Sequence, residues 1–235
     1  MKKIILIVCG FLCLGIAQAQ LMDTLPEFSP EYFKKNFRCG VAFNQSFSGI
    51  IGSDLPHDYF IKPSLGGGIE TEYFFSKNIG IGSGFLFQQR GAGIYNPDVV
   101  KEVGDPDSTH RQRLRFNCLD LPIRLVFRGD KGMTKGNRWS GSIGVIPMYS
   151  FATNSVFHSI EDGFHQIDDW SSDFKKFDLA ASASFGLNIN AGDAALLQIQ
   201  LYASYGLLNT YNNKTLFGTA KGNHLLFGLK LASLF

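Results

Sequence analysis

The residue types best suited to chemistry are the histidines His57, His110, His158 and His165, each in a polar stretch. Ser108 lies two residues before His110, and Ser159 and Asp162 follow His158. A histidine beside a hydroxyl and a carboxylate is the grouping that activates a serine nucleophile. Polar segments contain such neighbours by composition alone, however, and no regular element fixes these side chains in mutual reach. Beyond residue 20 there is no G-x-S-x-G, H-E-x-x-H, Walker loop or Cys-x-x-Cys. Gly66-Gly-Gly68 has no helix after it, so small side chains explain it better than a phosphate cradle. Glu161, Asp162, Asp168, Asp169 and Asp173 cluster near Trp170 without the Asp-x-Asp-x-Asp-Gly spacing of a calcium loop. The expectation is a non-enzymatic protein with no catalytic residue, cofactor or resident metal.

A second set of charges is more orderly. Arg38, Glu70, Glu72, Arg90, Asp120, Arg124, Asp178 and Lys230 occur on the small, polar face of alternating segments, four basic and four acidic. In the last segment, His224 to Phe235, residues Leu225, Phe227, Leu229, Leu231 and Phe235 share one face while Gly228, Lys230 and Ala232 share the other. Period two is the signature of a strand, not a helix. It recurs in seven further segments, at about 37–47, 60–75, 79–90, 112–128, 138–151, 176–190 and 195–207. Strand four changes the parity of its apolar residues, from Leu114, Phe116 and Cys118 to Leu119, Leu121, Ile123, Leu125 and Phe127. A bulge near 117–119, or a kink helped by Pro122, is expected there.

The connections alternate long and short. Ser76-Lys-Asn78, 129–137 and Ala191-Gly-Asp193 are tight, whereas 52–57, 91–110, 153–173 and 209–223 are longer and polar. The amino terminus adds a location. Lys2 and Lys3, an apolar run from Ile4 to Ile16 and Ala17-Gln-Ala19 read as a signal peptide over 1–19, with cleavage before Gln20. Residues 20–36 form a periplasmic lead and 37–235 a single domain. The pattern implies an all-β fold, an eight-stranded antiparallel up-and-down transmembrane β-barrel with short periplasmic turns and long extracellular loops, in the outer membrane of a Gram-negative bacterium. Twenty-two phenylalanines and 26 glycines fit aromatic girdles around a crowded interior. A mean hydropathy of +0.02 does not oppose this, because only every second residue meets lipid. A soluble barrel with its apolar face inside is the competing architecture, but its outer face should be rich in Lys and Glu. A net charge of +2 without a basic cluster gives no reason to expect nucleic acid. Cys39 and Cys118 read as free, lipid-facing thiols.

An eight-stranded barrel leaves room inside only for side chains, so the eight charges are expected to pair and to plug a narrow lumen. Phe235 resembles the terminal aromatic that such barrels present for assembly. The run Leu119-Asp-Leu-Pro-Ile-Arg-Leu-Val-Phe127 resembles a segment of the PorT-type outer-membrane β-barrel proteins of Bacteroidetes, as do the Ala-Gln-Ala-Gln20 signal end and the glycine-rich hairpin. The resemblance implies an OmpA/OmpX-like barrel inserted by the outer-membrane assembly machinery, one family member being a secretion accessory. Asp120 stands where that group usually has Glu, and Arg124 where it has an apolar residue. Expected partners are membrane lipid, lipopolysaccharide, the assembly machinery and secretion-complex or envelope proteins. Three roles remain open: a structural or binding barrel, a conduit for small or apolar solutes, and a rim-active lipid-modifying enzyme.

Overall fold

The computed structural model describes residues 36–55, 58–95, 111–129, 137–158, 165–169, 171–190, 196–212 and 220–235. The signal peptide and nearly all of the lead lie outside the described residues. In chain order the strands are β1 (Phe37–Ser53), β2 (Asp58–Phe60), β3 (Lys62–Phe74), β4 (Ile79–Tyr95), β5 (Arg111–Asp120), β6 (Ile123–Arg128), β7 (Arg138–His158), β8 (His165–Asp169), β9 (Phe177–Asn190), β10 (Leu196–Gly206) and β11 (Lys221–Leu234). They form one antiparallel sheet that closes on itself, because β1 pairs with both β3 and β11. The closing register runs from Gly40 opposite Leu234 to Ser53 opposite Lys221. Closure leaves the ring without a free edge.

Eight staves make the ring, one of them β5 followed by β6; β2 and β8 are short additions beside β4 and β7. The break between β5 and β6 has a covalent cause. Leu121 N–H bonds the Pro147 carbonyl at 2.9 Å, but Pro147 has no N–H to return, and Pro122 lacks a donor on its other side. The ladder continues past the gap in unchanged register with β4, Leu86 lying opposite Asp120 and Ser83 opposite Ile123.

Alternation determines what each face meets. Ile69, Phe85 and Leu201 are 54%, 62% and 69% exposed on the outside, whereas their neighbours Glu70, Leu86 and Gln200 are buried inside. Such a face is stable only against lipid. The soluble-barrel alternative fails here, since the bulky apolar residues point away from the lumen.

Four expectations change. The fourth stave does not switch parity: Leu114, Phe116, Cys118, Asp120, Arg124 and Val126 all point inward, and Leu119, Ile123, Leu125 and Phe127 all point outward. The apolar residues change face because the lumen itself becomes apolar toward the external end. The bulge is real but its extra residue is on the neighbouring strand. Asn117 pairs with Ala152 and Cys118 with Ser150, so Phe151 of β7 has no partner in this ladder. Beyond it the inward positions of β7 become the odd-numbered Thr153 and Ser155. Cys118 is therefore buried in the lumen, not lipid-facing; Cys39 does lie on the outer face, and both are free. Strands also run further than expected, β4 to Tyr95 and β7 to His158, where β8 folds back on it. Gly91 permits the bend at the top of β4, with φ of 128° and no room for a Cβ beside the Leu114 carbonyl.

Candidate functional site

Every second residue of eight staves converges on a lumen with three levels. At mid-height Glu70, fully buried on β3, meets two cations, one from two staves away on either side. Lys230 Nζ of β11 donates to its Oε2 at 3.0 Å, and Arg124 Nη2 of β6 lies 3.0 Å from the same oxygen as an ion pair without hydrogen-bond alignment. Gly84 on β4 stands opposite Glu70 and supplies the space. One step toward the external end, Arg90 donates to Asp120 at 2.6 Å and to the Ser204 hydroxyl at 3.2 Å. Arg90 and Asp120 sit on adjoining strands but reach each other across the ladder, and both are buried. A cavity of about 20 Å³ remains between these groups, lined by Asn44, Tyr202 and Ser184 among others. That is room for about one water molecule.

Nearer the periplasmic end, marked by Phe37, Phe235 and the tight turns, Glu72 accepts from Gln198 at 3.0 Å and lies 3.9 Å from Arg128. The Arg128 guanidinium also stacks 3.9 Å over the Phe74 ring. Uncharged bonds fill the wall beside it. Gln200 donates to Ser140 at 3.0 Å, and Ser140 donates to Asn188 at 2.8 Å.

The external end is apolar. Ile50, Ile94, Leu114, Phe116, Phe174 and Tyr211 form the main buried cluster, with Cys118 and Ala220. Phe116 stands edge-on to Phe174 at 4.9 Å and to His224 at 4.6 Å. Tyr211 donates to the Tyr59 hydroxyl at 2.7 Å, which ties the segment after β10 to β2 over the mouth.

The predicted charge set thus divides. Glu70, Arg124 and Lys230 meet, as do Arg90 and Asp120, while Glu72 takes Gln198 and Arg128. Asp178 makes no ion pair among the described residues; its Oδ1 accepts the Leu179 and Leu208 N–H groups at 2.7 and 3.2 Å. It lies high on β9, where the chain turns out of β10, and so fastens a loop. Arg38 joins none of these pairs, and its Nη1 lacks a hydrogen-bond partner among the described residues. Sequence reasoning missed Arg128 and His224. A usable signal existed, since Asp120, Arg124 and Arg128 recur at every fourth residue of one face, and His224 shares the parity of Lys230.

Most of the rim set falls where the chain is not described. His57, Ser108, His110, Ser159 and Asp162 lie outside the described residues, as do Glu161 and Trp170; His158 and His165 stand opposite each other in the β7–β8 register. Asp169 on β8 is fully exposed and hydrogen-bonded to the Ser171 hydroxyl and N–H, which hold its carboxyl below the usual range. Ser171 also accepts the Thr153 N–H at 3.3 Å, fixing this turn to β7. No group of three metal-ligating side chains occurs among the described residues. Phe235 closes the seam: its N–H donates to the Cys39 carbonyl at 2.9 Å, and its own carbonyl accepts from Cys39 at 3.1 Å.

A family model described as an outer membrane protein beta-barrel domain matches residues 18–212, well over half of the chain. The chain belongs to that family. This outer-membrane β-barrel protein therefore lies in the outer membrane of a Gram-negative bacterium, crossing it with strands. Among solved structures it is similar to Ail, the attachment invasion locus protein of Yersinia pestis, in complex with the heparin analogue sucrose octasulfate. The identity is 14%, with 85% of this chain and 99% of that chain covered, at a TM-score of 0.41. It is also similar to Neisserial surface protein A (9% identity, 84% and 95% covered, TM-score 0.45). OprG of Pseudomonas aeruginosa is a third (12% identity, 85% and 94% covered, TM-score 0.42). No curated protein matches the sequence of this barrel.

Proposed function

We propose that this outer-membrane barrel is a non-enzymatic binding or structural protein whose lumen is closed and whose external rim meets its partners. One observation carries the reading: the lumen is occupied twice, by paired charges at mid-height and by an apolar cluster above them. Small polar solutes would have to break Glu70–Lys230 and Arg90–Asp120, and then pass Phe116 and Phe174. Charged pairs in a dry interior do not part cheaply, because each separated ion is left desolvated. The rim, by contrast, is built up by the 21 residues of β7 with β8 folded against it. Arg113 and Arg115 stand on the outside of β5 near the external end, suited to the phosphates of lipopolysaccharide. Affiliation with the PorT-type barrels of Bacteroidetes, and with it a secretion-accessory role, fits the 119–127 motif and is part of the same proposal.

Liposome swelling tests the reading against the conduit. Vesicles carrying the folded barrel should swell in small sugars and small aromatic solutes no faster than empty vesicles. Rapid, size-limited swelling would instead support transport through the lumen.

A further inference from the structure

Beyond the closed lumen, the periplasmic mouth holds a cavity of about 90 Å³ lined by Arg38, Arg128, Arg138, Asn188, Asn190 and Leu196. Its volume is far above the ~10–15 Å³ that one water needs. The arginines come from three strands, at the start of β1, the end of β6 and the start of β7, and lie within electrostatic reach of one another. The buried polar groups turned into it are donors, and the exposed Asn190 adds an amide with a donor and an acceptor end. Asn188 is 1% exposed and its Oδ1 is occupied by the Ser140 hydroxyl, which leaves Nδ2 buried and without a partner among the described residues. Arg128 has a side chain 10% exposed, with neither Nε nor Nη2 making a hydrogen bond, and Arg38 Nη1 is in the same condition. One carboxylate, Glu72, lies 3.9 Å from Arg128 and is already bonded to Gln198. Three guanidinium charges against one carboxylate leave a surplus of about two. Surplus buried charge and orphaned buried donors are both costly unless something with matching acceptors is present.

We propose that this mouth is a binding site for a phosphate group. A phosphate monoester or inorganic phosphate carries about −1.5 to −2 at neutral pH and presents several acceptor oxygens in a tetrahedral array. That matches both the surplus charge and donors arriving from different walls. A planar carboxylate offers one negative charge and two oxygens, and leaves part of each unmet. Arginine is the side chain best suited to phosphate oxygens, through paired N–H groups. Two sources share this chemistry, a soluble periplasmic phosphate and the monoester headgroup of phosphatidic acid in the inner leaflet.

Calorimetric titration of the full folded barrel in a phosphate-free non-ionic detergent, with inorganic phosphate as the probe, tests this. Saturable binding is expected, weakened about tenfold or more by Arg128→Gln and measurably by Arg38→Gln or Arg138→Gln. Lys221→Gln at the opposite end should leave it unchanged. Acetate at equal ionic strength should bind at least several-fold more weakly. Phosphatidic acid, whose headgroup is a phosphate monoester, forms the second arm in mixed micelles: competition with phosphate supports the site with a lipid headgroup as its source, and phosphate binding without competition supports a soluble source. A heat-modifiability shift verifies that each variant is folded. Arginine Nε–H resonances of the unmutated protein give a readout that needs no variant, and three of them should move together with phosphate. Absence of saturable binding, or binding that survives all three arginine substitutions, overturns the proposal.

Discussion

Glu70→Gln tests the lumen at its most connected point. Glu70 has no exposed surface, and two cations share one of its oxygens at 3.0 Å. Glutamine keeps the shape but removes the charge, so Lys230 and Arg124 become uncompensated while both remain buried. Removing one partner of a buried ion pair typically costs about 3–5 kcal/mol, and here two partners are stranded. Lys230→Met should cost less, about 1.5–3 kcal/mol, because Glu70 keeps Arg124 and only the contacts of one ammonium, at 3.0 and 3.4 Å, are lost. Combining the two should recover part of the Glu70→Gln loss, since the double variant strands one cation instead of two. Reversible guanidinium unfolding from phospholipid vesicles, followed by tryptophan fluorescence, measures all three. A Glu70→Gln barrel within about 0.5 kcal/mol of the parent, with additive behaviour in the double variant, would show that the interior cations are hydrated and refute the reasoning.

Phe116→Ala should lower stability by about 3–5 kcal/mol in the same unfolding assay, because the ring is fully buried between Phe174 and His224 and its removal leaves a cavity. Deleting Phe235 removes both hydrogen bonds to Cys39 at the seam, so folded barrel in outer-membrane fractions, scored by heat-modifiability, should fall well below the parent level. Asp178→Ala should cost about 1–2 kcal/mol of stability for the Leu179 and Leu208 N–H groups it leaves unmet, with no added permeability, because it takes no part in the ion pairs.

The ring was legible in the sequence because lipid contact imposes period two on every stave, and the outer face of the closing strand, opposite Lys230, shows that pattern broken only by Ser233. Alternation separates two faces, however, and polarity alone names which is which. Leu114, Phe116 and Cys118 misled for that reason: they are apolar residues on the lumen face, within the buried apolar cluster beneath the external rim. The parity of Asp120 and Arg124 placed them correctly. The bulge could be sensed near 117–119 but not assigned to Phe151, since register belongs to a pair of strands and one strand does not encode it. Pairing inside the lumen was legible only as charge balance. Which cation meets Glu70, and that Asp178 serves a loop, depends on the stagger of staves far apart in sequence. Arg128 and Arg138 went unread because they sit at strand ends, where the alternating runs stop.

The closed lumen is tested most directly by single-channel recording of the folded barrel in planar bilayers at moderate voltage. A silent trace, with at most brief flickers that become more frequent in Glu70→Gln, is the predicted result. A steady open conductance of porin size in the unmutated protein would contradict it.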